Sequence, residues 1–287
     1  MSTVEAGDRI DAIMLAAMAS YLTGEVLVSS VTAMGLIAAR LAQVTHAPDL
    51  MVLSTPESGV DVAPMTTLTL GEFWSGSRPA ITLSMEEIFD AIFLDRFRIW
   101  INPAQVDRAG HANISAIGPW SRPKVALVGS RGIPEDTAHL SQILFYLPQH
   151  SPRTLVERVD FRSGAGYGAE GPPHLGQAGR PTALVTNLGV FEWDRAGALT
   201  VKSLHPGVSP AVVRDATGFE LAGLEEAEVT AEPDDTVREL IERFDPLGTR
   251  HLEFMSGEGA NRKRVEIYER ERRLFHLTRP RREGGRP

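Results

Sequence analysis

Residues 25–59 read EVLVSSVTAMGLIAARLAQVTHAPDLMVLSTPESG, and the spacing of apolar positions along them decides the fold. Residues 25–29 are a short β-rich run. Residues 31–44 change period, because Met34, Ile37, Ala38 and Leu41 fall on one helical stripe. Residues 49–54, apolar and bounded by Pro48 and Pro56, read as a buried strand. Strand, helix and strand in this order form a βαβ unit, whose crossover makes the two strands parallel.

The rhythm continues outward. Residues 8–22 are amphipathic, 84–94 read as a helix, and 98–102 and 124–128 read as strands. Between those strands Pro103, Gly110, Gly118, Pro119 and Pro123 mark turns. From Arg153 onward the runs 154–159, 182–187, 190–193 and 199–204 are β-like, and Asp194-Arg195-Ala196-Gly197 has the Asp and Gly of a hairpin turn. Residues 206–217 and 234–244 read as helices, the second introduced by Pro233-Asp234-Asp235. Residues 163–181, rich in Gly and Pro, have no hydrophobic period and form a long loop of the kind that is commonly functional. The expected fold is α/β: an open, mostly parallel sheet with flanking helices and an antiparallel extension. Such sheets form their ligand crevices at the C-terminal ends of the strands.

Composition narrows the chemistry. The 287 residues are 43% apolar and 23% charged, the balance of a globular protein, and none is Cys. That removes disulfides, thiolate metal sites and a cysteine nucleophile, and makes a reducing cytoplasm the expected compartment. The longest apolar stretches, 13–21 and 26–41, are interrupted well short of the roughly 20 residues a membrane helix requires, and no secretory leader with a basic start is visible. The eight histidines are scattered without metal-ligand spacing, so no metal site is expected. A net charge of −8 argues against a general nucleic-acid binder. That charge is uneven: residues 251–287 hold ten Lys or Arg against six acids, a surplus of four, which leaves residues 1–250 at −12. With no internal repeat, the reading is one domain over 1–250 and a basic C-terminal tail over 251–287. The tail reads as a solvated helix and a disordered end, with too few aromatics, Tyr268 and Phe275, for a base-stacking surface.

Three stretches can carry chemistry. Glu57, in Thr55-Pro56-Glu57-Ser58-Gly59, follows the predicted strand 49–54; a carboxylate on such a turn either attacks an acyl group or simply faces solvent. Gly129-Ser130-Arg131-Gly132 follows the predicted strand 124–128. Its glycines either let backbone N–H groups approach an oxyanion or form a plain turn with Arg131 in solvent. The run from Asn102 to Asn113, with Gln105, Asp107 and Gly110, is a polar loop that braces itself or lines a crevice.

In combination these segments resemble the β subunit of the family I coenzyme A transferases, particularly the glutaconate CoA-transferase type and the related hydrolase that opens the last steroid ring as its CoA thioester. The matching segments are Gln105-Val106-Asp107-x-x-Gly110-x-x-Asn113-Ile114-Ser115, Gly129-x-Arg131-Gly132, Val159-Asp160-Phe161-x-Ser163-Gly164-x-Gly166-Tyr167, Thr186-Asn187-Leu188-Gly189-Val190-Phe191, and Leu204-His205-Pro206-Gly207-Val208-x-Pro210 leading to Ala216-Thr217-Gly218-Phe219. They cover roughly residues 24–250, and five ordered matches are more specific than any one of them. The resemblance implies that Glu57, followed by a small residue and Gly, is the nucleophile, passing CoA between carboxylic acids through a glutamyl-CoA intermediate. It also implies oxyanion or CoA binding by Gly129, Arg131, Gly132, Gln105 and Asn113. Acyl-CoA and carboxylic acids are the implied substrates, with no permanently bound cofactor. A separate α subunit is implied, in an α2β2 assembly, with no nucleic-acid or membrane partner. Arg131, the following Ile133-Pro134 and the nearby His150-Ser151 are more similar to the hydrolase branch, in which the key carboxylate comes from the other subunit. A non-catalytic partner of the α chain would keep the same fold.

Overall fold

Helix α1 (Thr3–Ser20), strand β1 (Leu27–Ser30), helix α2 (Ala33–Thr45) and strand β2 (Met51–Ser54) open a computed structural model that describes residues 3–54, 59–61, 79–168 and 180–274. β1 and β2 run parallel, with Leu27 beside Met51 and Ser30 beside Ser54, as the βαβ reading requires. Thr32 starts α2: its backbone is extended and its hydroxyl accepts the Gly35 N–H at 3.2 Å, satisfying one orphan donor of the first turn. Two short antiparallel strands, β3 (Gly59–Val60) and β4 (Ile81–Thr82), extend this edge. Helix α3 (Met85–Phe93) begins with a reciprocal Ser84–Glu87 capping box and leads to β5 (Phe97–Ile101), parallel to β1 on its other side.

The chain then leaves the sheet for β6 (Gln105–Asp107), β7 (Ala112–Asn113), β8 (Ala116–Ile117), β9 (Val125–Ala126) and helix α4 (Ile133–His139). It returns as β10 (Ile143–Leu147), which pairs in parallel with β5 and, after the short β11 (Leu155–Val156), with β12 (Pro181–Thr186). Strands β13 (Gly189–Trp193) and β14 (Leu199–Leu204) follow as an antiparallel meander, then helix α5 (Pro210–Ala216), β15 (Glu228–Val229) and helix α6 (Asp235–Phe244). The ten-stranded order is β15-β14-β13-β12-β10-β5-β1-β2-β3-β4, a parallel centre from β12 to β2 flanked by antiparallel pairs, with the short β15 parallel to β14 at one edge. This is the expected mostly parallel α/β sheet.

Two predicted strands do less than expected. Of 124–128 only Val125–Ala126 is extended, in a two-stranded ribbon with β8. Of 154–159 only Leu155–Val156 is, and it pairs parallel to β6 in a separate three-stranded sheet rather than extending the large one. Strand β10 is the converse case, a central strand that the sequence reading left out. Its Ile143, Phe145 and Leu147 enter one core while Leu144 and Tyr146 enter the other. The first core lies beneath α3, α4 and the small sheet, and the second beneath α1, α2 and α6. Each fully buried Leu, Ile or Phe contributes roughly 1.5–3 kcal/mol.

The C-terminal part is tied to this second layer. A 3-10 turn (Thr249–Phe254) puts Arg250, 2% exposed, against Asp11 of α1 at 2.7 Å, Asp245 at 3.2 Å and Glu242 of α6. Helix α7 (Gly257–Leu274) follows, mostly exposed but with Ile267 buried. Among the described residues no helix is long and apolar enough to cross a membrane.

Candidate active site

The C-terminal edge of the parallel strands is where a ligand crevice is expected, and much of it is filled by the chain itself. At the start of α2 the Glu253 carboxylate accepts the Met34 N–H at 3.0 Å and the Tyr146 hydroxyl at 2.6 Å. Burial raises the Glu253 carboxyl, opposed by those bonds. Beyond β10, His150 Nδ1 meets the Thr186 hydroxyl and Nε2 the Thr217 hydroxyl, both at 3.0 Å, while its N–H donates to Asn187 Oδ1. Burial holds His150 down at about 4, so the ring is neutral at physiological pH. His205 behaves likewise, lowered by burial to about 4, with Nε2 donating to the Thr186 carbonyl.

Beside this edge, on the face carrying the small sheet, lie most of the sequence-predicted site residues. Gln105 and Asn113 are cross-strand partners in β6 and β7 and are both buried. Asn113 Nδ2 donates to Gln105 Oε1 at 2.8 Å and to the Ala116 carbonyl, while its Oδ1 accepts the N–H groups of Ser115 and Ala116. Its hydrogen-bonding capacity is thereby used. Gln105 reaches Asp160 through both ends of its amide, and Asp160 Oδ2 in turn accepts the Gly118 N–H. The result is a braced hairpin.

The loop at 129–132 is joined to that hairpin by a chain of hydroxyls. Ser115 Oγ lies 3.1 Å from Ser130 Oγ and 2.8 Å from Ser163 Oγ. Gly129 has φ +87° and Arg131 φ +50°, so two left-handed residues bracket Ser130. Among the described residues nothing lies within 4 Å of the point where a Cβ on Gly129 would stand. Gly132, by contrast, takes an ordinary φ of −83° as the residue preceding α4. The left-handed requirement falls on Gly129 and Arg131, not on Gly132 as the spacing of the two glycines invites one to read it.

Glu57 lies outside the described residues. Of the residues on either side of it, Ser54 and Gly59 pair across β2 and β3, and Asp61, at φ +54°, ties the hairpin to α2. Asp61 Oδ1 accepts from Arg40 at 3.1 Å, Gln43 at 2.9 Å and the Val52 N–H. The structure therefore brings Gly129, Arg131, Gly132, Gln105 and Asn113 into one region.

Two side chains there escaped the sequence reading. His111 Nδ1 is held 3.1 Å from the Asp107 carboxylate, and its Nε2 is buried without a hydrogen-bond partner among the described residues. Asp136, on α4, is 5% exposed and burial, with repulsion from Glu135, pushes it up to about 7. The run Ile133, Asp136, Thr137 and Leu140 has the i, i+3, i+4, i+7 spacing of a buried stripe, and that spacing was the signal available. Among the described residues no His, Asp and Glu group is arranged to hold a metal.

No protein-family model matches the chain. It is 35% identical over 236 residues to the cholesterol ring-cleaving hydrolase IpdB subunit of Mycobacterium tuberculosis, covering 81% of this chain and 92% of that one. It is also 35% identical over 215 residues to one of the subunits of the 3-oxoadipate CoA-transferase of Pseudomonas knackmussii, covering 71% of this chain and 80% of that one. Among solved structures, IpdAB of Rhodococcus jostii superposes with a TM-score of 0.74 at 30% identity, covering 87% of this chain and 98% of that chain.

Proposed function

We propose a function from one premise: the chain belongs to the family I coenzyme A transferases, as a β subunit. Paired with a separate α subunit, in an α2β2 assembly, it acts on acyl-CoA thioesters in the cytoplasm and passes CoA from one carboxylic acid to another. Glu57 attacks the thioester carbonyl and expels the CoA thiolate, leaving a mixed anhydride. The thiolate then attacks the glutamyl carbonyl, releasing the first acid and forming a glutamyl-CoA thioester. An acceptor carboxylate attacks that thioester and the sequence runs in reverse. The CoA thioester is substrate, and no permanently bound cofactor takes part.

Each of these steps passes through a tetrahedral oxyanion that needs aligned N–H donors. The observation carrying the proposal is the loop at 129–132, in which Gly129 and Arg131 are left-handed, no described atom lies within 4 Å of a Cβ built on Gly129, and Ser130 Oγ is 3.1 Å from Ser115 Oγ. Gln105 and Asn113 hold the hairpin to which that contact leads.

The test is Glu57→Gln in the assembled enzyme, assayed with an acyl-CoA and an acceptor acid. Turnover should fall by on the order of 1000-fold or more, and borohydride after incubation with acyl-CoA should modify Glu57 in the wild type. Full activity of the variant would move the nucleophile to the α subunit. A second reading, a ring-opening CoA-thioester hydrolase of steroid or ring catabolism, is supported by Arg131 within the loop and by the likeness to IpdB. Omitting the acceptor acid separates the two, since only the hydrolase then continues to release free CoA.

A further inference from the structure

Two short segments meet just upstream of the 129–132 loop. The turn between β8 and β9 is joined to the stretch after β11 where the Gly118 N–H donates to Asp160 Oδ2 at 2.9 Å, and there the rings of Trp120 and Phe161 lie 4.6 Å apart, tilted by 32°. Trp120 is nevertheless 65% exposed. Phe161 backs the indole and leaves most of it in solvent, and a large aromatic surface held open on a braced turn marks a place where something else packs.

The charge around these rings is just as unbalanced. Residues 118–124 and 158–162 carry Arg122, Lys124, Arg158 and Arg162, all exposed, against one acid, Asp160. None of the four side chains forms an ion pair or hydrogen bond among the described residues. Arg108 and Arg214, equally exposed, each reach a glutamate. Because residues 1–250 carry −12 overall, unpaired cations gathered at one aromatic pair run against the charge of the whole. A flat π face takes a base and clustered cations take phosphates.

We propose that Trp120, backed by Phe161 and flanked by Arg122, Lys124, Arg158 and Arg162, binds the adenosine 3′-phosphate 5′-diphosphate end of coenzyme A, with adenine on the open face of the indole and phosphates among the cations. The inference rests on the thioester reading and deepens it, by seating the end of the substrate remote from the chemistry. From Lys124 to Gly129 the chain runs five residues through β9, a span of at most about 18 Å. The pantetheine arm of coenzyme A is long enough to cross it, and the exposed Val125 and Val128 offer the arm apolar surface on the way.

The experiment is calorimetric titration of the assembled αβ enzyme with adenosine 3′,5′-bisphosphate, which has the base and phosphates but no thioester, so binding is read whether or not a thioester is turned over. Wild type should bind it, less tightly as salt rises. Trp120→Ala should weaken binding by about 5- to 100-fold, for the lost stacking, and Trp120→Phe should recover most of it. Changing Arg122 and Arg162 together to Ala should weaken binding and flatten its salt dependence. Coenzyme A should bind more tightly than dephospho-coenzyme A, by a ratio that shrinks in that double variant. Since every substitution is on the surface, melting temperatures should stay within a few degrees of wild type. No binding to the wild type, equal binding to wild type and Trp120→Ala, or no discrimination by the 3′-phosphate overturns the subsite. So does separation of the subunits of Trp120→Ala on size exclusion, which would make the patch the seat of the α chain. Binding that follows this pattern in an enzyme that neither transfers nor hydrolyses any acyl-CoA upholds the nucleotide subsite and sinks the thioester reading alone.

Discussion

The start of α2 and the loop at 129–132 are both junctions that lead from irregular backbone into a helix, and they end in opposite states. At α2 every donor of the first turn is met: Thr32 takes Gly35, and Glu253, arriving from more than two hundred residues away, takes Met34. A helix N-terminus beside a central parallel strand is a ready anion site, but here the chain supplies its own anion. At 129–132 the backbone is held by Ser130, and among the described residues nothing stands within 4 Å of a Cβ built on Gly129. Polar groups that are already satisfied stabilise the fold, and those left open are free to act on something else. The edge of the sheet that topology marks as a crevice is therefore largely closed by the chain itself, and the excursion beside it is the region where we propose the chemistry.

Gly132→Val is the sharpest way to break this comparison. Gly132 has ordinary φ and its nearest obstacle is Asp136 Oδ2 at 3.9 Å, so a side chain fits without backbone strain and stability should change by less than about 1 kcal/mol. The added bulk nonetheless stands beside the open loop. Losing one oxyanion donor typically lowers kcat by on the order of 100- to 1000-fold, with acyl-CoA binding affected much less. Measuring melting temperature and kcat side by side decides: a variant that is unstable yet normally active per folded molecule would make the loop a plain turn.

Glu253→Ala should give the reverse pattern. It strips two α2 amides and the Tyr146 hydroxyl of their acceptor, which costs about 2 kcal/mol. Turnover per folded molecule should stay within a few-fold of wild type. The emptied site should also accept a substitute, so added formate or phosphate should raise the melting temperature of the variant and not of the wild type. A matching rise in both proteins would mean that the α2 terminus is open in the native chain.

How much of this was legible in the sequence follows the same division. The βαβ unit could be read because its helix has a clear period and Pro48 and Pro56 punctuate its second strand. β10 could not, since Ile143–Leu147 is buried on both faces and has no alternation to separate a strand from a stretch of helix. The glycine-rich loop and the Gln105–Asn113 pair were visible as residue types, but their union runs through Ser115 and Ser130, fifteen positions apart in a contact that no local pattern encodes. Asp136 looks in sequence like one of two acids opening a helix, favourable and unremarked, and only its burial makes it an anomaly. Glu253 was counted among the tail's charges, although it closes the terminus of α2.

The two regions should also titrate in opposite directions, which yields the smallest effect and the one most specific to the structure. His150 is a base with its folded-state value depressed by burial, from 6.5 to about 4. The folded state therefore prefers the neutral ring, and the stability this confers is present above the unfolded value and is lost as pH falls from about 6.5 toward 4. At 1.36 kcal/mol per unit the loss is at most about 3 kcal/mol. His205 titrates in the same sense, so the acid limb of the stability curve belongs to the filled edge. The Asp136 carboxyl, raised from 3.8 to about 7, removes stability as pH rises across that interval, and belongs to the open loop. His150→Gln keeps a side chain able to reach Thr186 or Thr217 and deletes the titration. Urea unfolding at pH values between about 7 and 4.5 should find the variant roughly 1 kcal/mol less stable at the upper end, for the hydroxyl contact it cannot reproduce, and roughly 1 kcal/mol more stable at the lower end, the two curves crossing between about pH 5 and 6 because only the wild type loses stability there. Parallel curves would mean that the ring is charged in the folded state, and that the two hydroxyls facing it do not form the closed, neutral arrangement that separates this edge from the loop.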